Sequence, residues 1–103
     1  MTAPPYCLVF TAEASAIIDD LQSSKAYTVK CKKVRKTLQQ LRDAGPGYPA
    51  LQSHRYSSLQ GPHGEDVWES YVENHTPGAW RIWWYYGPEV DTLTILTIGK
   101  HPE

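Results

Sequence analysis

No run in this sequence approaches the about 20 consecutive apolar residues that a bilayer-spanning helix needs, which excludes a helical membrane protein. Nothing like a charged and apolar leader with a small-residue cleavage site precedes the first apolar run at 6–10. The expectation is therefore a cytoplasmic protein with no membrane partner. Cysteine is scarce: Cys7 and Cys31 are the only two, too few for a disulfide framework, and both are expected as free thiols. Cys31 falls on an apolar helical stripe and is read as a packing residue rather than a nucleophile. The histidines and cysteines fit no zinc spacing, and neither a metal nor a cofactor is expected. Internal repeats, low-complexity tracts and linkers are absent, so 1–103 is expected to be a single domain with one modest core. An excess of charge of one sign is missing too. A formal net charge of −1 does not mark the chain as a whole for nucleic-acid binding.

The charge that is present is unevenly spread. Lys25, Lys30, Lys32, Lys33, Arg35, Lys36 and Arg42 place seven of the ten basic residues within 25–42, whereas 43–103 carries three basic residues and eight acidic ones. The molecule is therefore bipolar. Residues 6–10 read as a short strand, followed by Thr11 as an N-cap and Glu13 in the first turn of a helix. That helix carries Ala14, Ile17, Ile18 and Leu21 on one side and breaks near Gln22-Ser23-Ser24. In a second helix Tyr27, Cys31, Val34, Leu38 and Leu41 recur at steps of four, three, four and three, a narrow apolar stripe with lysines on its flanks. Ala44-Gly45-Pro46-Gly47 stops it. Residues 45–64 read as an ordered but irregular connection containing a short piece at 54–59. Beyond it, 67–73, 79–86 and 92–98 are rich in Val, Ile, Thr, Trp and Tyr and separated by turns, as in an antiparallel meander of three strands. The order of strand, two helices and meander predicts an α+β sandwich with the helix pair on one face of a sheet.

Within the meander lies an aromatic run around one arginine, Trp80-Arg81-Ile82-Trp83-Trp84-Tyr85-Tyr86. Strand alternation puts Arg81, Trp83 and Tyr85 on one face and Trp80, Ile82, Trp84 and Tyr86 on the other. If helices cover the Trp80 face, the opposite face presents a guanidinium flanked by two rings, a surface suited to a phosphate and stacked bases.

This order, with Leu59-Gln60-Gly61-Pro62-His63-Gly64 ahead of the meander, Ala79-Trp80-Arg81-Ile82-Trp83-Trp84-Tyr85 inside it and Thr94-Ile95-Leu96-Thr97-Ile98-Gly99-Lys100-His101 at its end, resembles the RelE/ParE superfamily of toxins from type II toxin-antitoxin systems. The resemblance covers nearly the whole chain. It implies a RelE-like two-layer sandwich and, for a RelE-like member, a ribosome-dependent endoribonuclease that cuts mRNA and is inhibited by a cognate antitoxin. Such cleavage needs a base for the 2′-hydroxyl proton, cations for the charge developing at phosphorus and an acid for the 5′-oxygen.

The resemblance also assigns candidate roles. Arg81 matches the superfamily's strand arginine and would clamp the phosphate, with Arg55 and Lys100 as second cations. His101 stands at the position of the tail residue and is the acid/base candidate, with His54 in reserve. Tyr85 and Trp83 would stack or position a base, and Lys32, Lys33 and Lys36 would draw the chain to ribosomal RNA. His63 and His75, in expected turns, look incidental. Where relatives often place a second arginine, this chain has Trp68-Glu69-Ser70, which leaves Arg55 as the substitute. Glu69 is read as neutralising Arg81 across the sheet, a general base being its other possible role. Two alternatives stay open. A ParE-like branch of the same fold inhibits DNA gyrase by binding, and the fold also suits a noncatalytic binding module.

Overall fold

The computed structural model describes residues 5–74 and 76–101, which leaves His75 outside the described residues. The elements in order are β1 (Cys7–Phe10), α1 (Ala12–Ser23), α2 (Thr28–Asp43), β2 (His54–Gln60), β3 (Asp66–Tyr71), β4 (Trp80–Tyr86) and β5 (Thr92–Lys100), with 3-10 turns at Lys25–Tyr27 and Pro49–Leu51. They form an α+β sandwich in which both helices pack on one face of a five-stranded sheet ordered β1-β5-β4-β3-β2. β1 runs parallel to β5 and every other pair is antiparallel. No helix among the described residues is long and apolar enough to cross a membrane.

Local chemistry sets the helix ends. Thr11 is extended, and its hydroxyl accepts from the Ala14 amide at 3.1 Å, satisfying one of the orphan donors of the first turn. The same hydroxyl donates to the Leu96 carbonyl at 2.7 Å, so one side chain both starts α1 and ties it to β5. Along α2, Val34, Leu38 and Leu41 are buried as their period requires, with Thr37 beside them. Tyr27 departs from that stripe because it belongs to the preceding 3-10 turn, where helical phase has not begun, and its ring is exposed. Gly45 ends α2 at φ +89°, a left-handed conformation that favours glycine, with its amide on the Gln40 carbonyl.

The core lies between Ala14, Leu21, Val34, Leu38 and Leu41 of the helices and Ile82, Trp84, Leu93, Ile95 and Ile98 of β4 and β5, with Leu51 closing one end. Each fully buried side chain of this kind contributes about 1.5–3 kcal/mol. Ile95 and Ile98, three residues apart, share the core face because of a β-bulge. Trp83 pairs with Thr97 but Trp84 with Ile95, so Leu96 is the extra residue, and the Thr11 hydroxyl binds its carbonyl.

The connection read as irregular contains a full strand. β2 pairs with β3 at the sheet edge, making the antiparallel part four strands rather than three. Apart from a half-buried Tyr56 its residues are exposed, so β2 lacks the apolar alternation that reveals a half-buried strand.

Candidate active site

β4 divides its side chains between two environments. Ile82 and Trp84 enter the helix-packed core, while Arg81, Trp83 and Tyr85 point the other way. Among the described residues no helix covers that second face, yet Trp83 is only 4% exposed, Tyr85 7% and Arg81 9%. The cover comes from the flanking strands. Tyr56 of β2 tilts onto Trp83 with ring centroids 5.7 Å apart, and His101 stacks on Trp83 at 6.5 Å and 29°.

Strand register explains what gathers there. Glu69 of β3 lies opposite both His54 of β2 and Trp83 of β4, Tyr71 lies opposite Arg81, and Arg81 lies opposite Gly99 of β5. Just past β5, the His101 amide bonds to the Ala79 carbonyl at 3.0 Å, which fixes that residue against the start of β4.

Glu69 is the centre of the group. The residue is 1% exposed. Its Oε1 lies 3.1 Å from His54 Nε2 and 3.5 Å from Arg81 Nε, and its Oε2 accepts from Trp83 Nε1 at 3.0 Å and lies 3.3 Å from His101 Nε2. A carboxylate this deep is tolerable only when cations and donors surround it. Although two histidines meet it, no group of His, Cys, Asp and Glu among the described residues is disposed to hold a metal ion.

Arg81 is held on three sides. Its guanidinium carbon sits 3.7 Å over the Tyr71 ring, and Nη1 donates to the carbonyls of Glu73 and Trp80. Its Nε, though buried, has no hydrogen-bond partner among the described residues. Such an unsatisfied donor costs about 1–3 kcal/mol, offset in part by the Glu69 carboxylate 3.5 Å away. Open space lies across the strand pair, at Gly99. Gly99 contributes no side chain opposite Arg81, and a methyl group there would meet nothing within 4 Å.

A second carboxylate supports this arrangement from the helix side. Glu73 receives Lys30 on Oε1, Lys33 on Oε2 at 3.1 Å and the Trp80 amide at 3.2 Å, while its carbonyl holds Arg81. Burial alone would raise the Glu73 carboxyl, but the hydrogen bonds from Lys30, Lys33 and Trp80 outweigh it and hold the group below the ordinary glutamate range. The segment that fixes the guanidinium is thereby pinned to α2.

The same architecture recurs in solved structures. The YoeB dimer from Staphylococcus aureus matches with a TM-score of 0.65 at 13% identity, over 95% of this chain and 99% of that chain. A YoeB/ParE toxin from Agrobacterium tumefaciens gives 0.65 at 14% identity, over 92% and 98%. The archaeal RelE-RelB complex from Pyrococcus horikoshii gives 0.61 at 10% identity, over 93% and 94%. The chain has the RelE/ParE toxin fold. No protein-family model matches the sequence, and no curated protein sequence matches it.

On this RelE/ParE fold, Arg81 and His101 come together on the face away from the helices, joined through Glu69. Arg55 does not join them. It lies opposite Trp68, on the helix-packed face, and pairs with Asp66 at 2.8 Å. Lys100 lies opposite Trp80 on that same face, its stem against Gly78. Trp83 and Tyr85 sit beside the site, but burial leaves their rings no open face for a base. Lys33 is taken by Glu73, while Lys32 and Lys36 are exposed on α2. The hub role of Glu69 and the place of His54 were underrated in the sequence. The readable signal for His54 was its position one residue before Arg55, since alternation sends neighbours to opposite faces.

Proposed function

We propose that the chain is a RelE-like toxin, an endoribonuclease that cleaves mRNA on the ribosome and is restrained by a cognate antitoxin. The observation that carries this reading is the convergence of Arg81, Glu69 and His101 beside open room at Gly99, with a buried guanidinium nitrogen lacking an acceptor. In the proposed reaction the scissile phosphate occupies the room at Gly99, opposite the Arg81 guanidinium. Arg81 then offsets the extra negative charge of the pentacoordinate transition state. His101, oriented by Glu69 and by stacking on Trp83, exchanges the proton of the attacking 2′-hydroxyl. Lys32 and Lys36 supply salt-sensitive attraction to ribosomal RNA. A partner resembling RelB, which accompanies the archaeal structural neighbour, would restrain the activity.

The test is cleavage of ribosome-bound mRNA by the wild type and by Arg81→Ala and His101→Ala. Each substitution is expected to slow cleavage about a hundredfold or more while circular dichroism stays unchanged. Full activity in both variants removes this site. A wild type inert on translating ribosomes that instead causes gyrase-dependent DNA breaks moves the assignment to a ParE-like inhibitor.

A further inference from the structure

We infer that Lys30 of α2 is a positioning residue for Arg81, acting through Glu73 and Trp80, the two residues whose carbonyls hold the guanidinium. The inference rests on the RNA-cleaving reading of this site and adds to it what sets the guanidinium in place.

Arg81 has few fixed contacts. Among the described residues its guanidinium donates only from Nη1, to the carbonyls of Glu73 and Trp80. The Tyr71 ring under the guanidinium carbon sets its height but not its place across the ring face. The Glu69 carboxylate, 3.5 Å from Nε, attracts without a hydrogen bond and so fixes no angle. Where Nη1 points is therefore decided by where the two carbonyls sit.

Lys30 touches both residues that supply those carbonyls. Its ammonium pairs with Glu73 Oε1 and lies 5.2 Å from the centroid of the Trp80 ring. Glu73 Oε1 also accepts from the Trp80 amide at 3.2 Å, and the Glu73 amide bonds to the Trp80 carbonyl at 3.2 Å. A change at Lys30 thus reaches Arg81 by two routes, the Glu73 backbone and the start of β4. Lys33 is the lesser partner. It meets the other Glu73 oxygen at 3.1 Å, and its side chain is 49% exposed against 22% for Lys30, so water and salt screen it more. Lys30 belongs to the helix layer and Arg81 to the opposite face of the sheet, so the ammonium acts through the backbone and not by touching the phosphate. Positioning of this kind shows in kcat, whereas attraction to ribosomal RNA shows in KM and weakens with salt.

The test joins kinetics to spectroscopy of the full chain. Lys30→Met keeps an unbranched stem on Trp80 and removes the charge. It is expected to lower kcat for cleavage of ribosome-bound mRNA about tenfold at unchanged KM, with Lys30→Arg within about twofold of wild type. Lys33→Met is expected to lose only about twofold. Glu73→Gln should slow kcat as Lys30→Met does, and the double variant should be no slower than the slower single one, because both act through one contact. A second readout needs no cleavage. In protein labelled with heavy nitrogen in its arginines, a guanidinium held at Nη1 rotates slowly and shows separate Nη signals. Those of Arg81 should merge in Lys30→Met and stay apart in Lys30→Arg. Separate signals in Lys30→Met, a kcat equal to wild type, additive losses in the double variant, or a loss confined to KM would each overturn the inference. A wild type that does not cleave overturns the RNA-cleaving reading instead, and the nitrogen signals then still decide whether Lys30 holds the guanidinium. All measurements are made well below the unfolding temperature of each variant, so that lost stability does not enter.

Discussion

The two faces of β4 are both buried from Arg81 to Tyr85 and made in opposite ways. On one, Ile82 and Trp84 meet helix side chains, and the single polar group of note, the Trp84 indole nitrogen, is satisfied by Ser70 at 2.8 Å. On the other, Arg81 and Trp83 meet a carboxylate, an imidazole and two tyrosine rings, and one buried donor stays unsatisfied. The first face gains stability from simple burial. The second spends much of what burial offers on desolvating charge, so it orients groups more than it stabilises the fold. Apolar packing and charged-group convergence are thus separated across the thickness of one strand.

The largest effect that tests this separation is Trp84→Ala. It should lower stability by about 3–5 kcal/mol in denaturant unfolding, because it empties the core and strips Ser70 of a partner. On the other face, Glu69→Leu should cost about 3 kcal/mol by leaving Arg81 without its counter-charge, and adding Arg81→Leu should recover most of that loss. Failure of the double variant to recover would mean that Glu69 stabilises through something other than charge pairing. A smaller effect, about 1–2 kcal/mol, is expected for Glu73→Gln, which weakens the clamp from Lys30 and Lys33. Because the folded state holds Glu73 below its ordinary value of 4.5, its stabilisation is full above that pH and fades as pH falls below it. Acid unfolding curves of Glu73→Gln should therefore be flatter below about pH 4.5 than those of the wild type. The smallest change in stability belongs to Gly99→Val, within about 1 kcal/mol, since the added side chain enters open room on a strand. That variant should nevertheless lose ribosome-dependent cleavage, because the methyls occupy the space beside Arg81. Normal cleavage would put the substrate elsewhere.

Much of this was readable from local pattern. Periods of 3.6 and 2 located α2, the meander and the face shared by Arg81, Trp83 and Tyr85, since each depends only on neighbours along the chain. What covers that face was not readable, because β2 is exposed nearly throughout and leaves no apolar signature. Without β2, Arg55 appeared to be the natural second cation. With it, register sends His54 to Glu69 and Arg55 to Asp66. The pairing of Lys30 and Lys33 with Glu73 was hidden for a related reason. It joins residues 43 and 40 positions apart, and helical spacing shows which flank a lysine occupies but not what waits there.

The sheet order has a consequence for timing. β5 is the last strand along the sequence but sits between β1 and β4, so it joins the chain's first strand to the rest of the sheet. During synthesis the helices and the first four strands emerge before the strand they need, and long-range pairing of this kind forms late. His101 follows β5 in the sequence. An emerging chain therefore carries Arg81 and Glu69 in the open, without the residue that completes the group, until elongation has passed that point. A nascent chain lacks this group of side chains until β5 and His101 have been made.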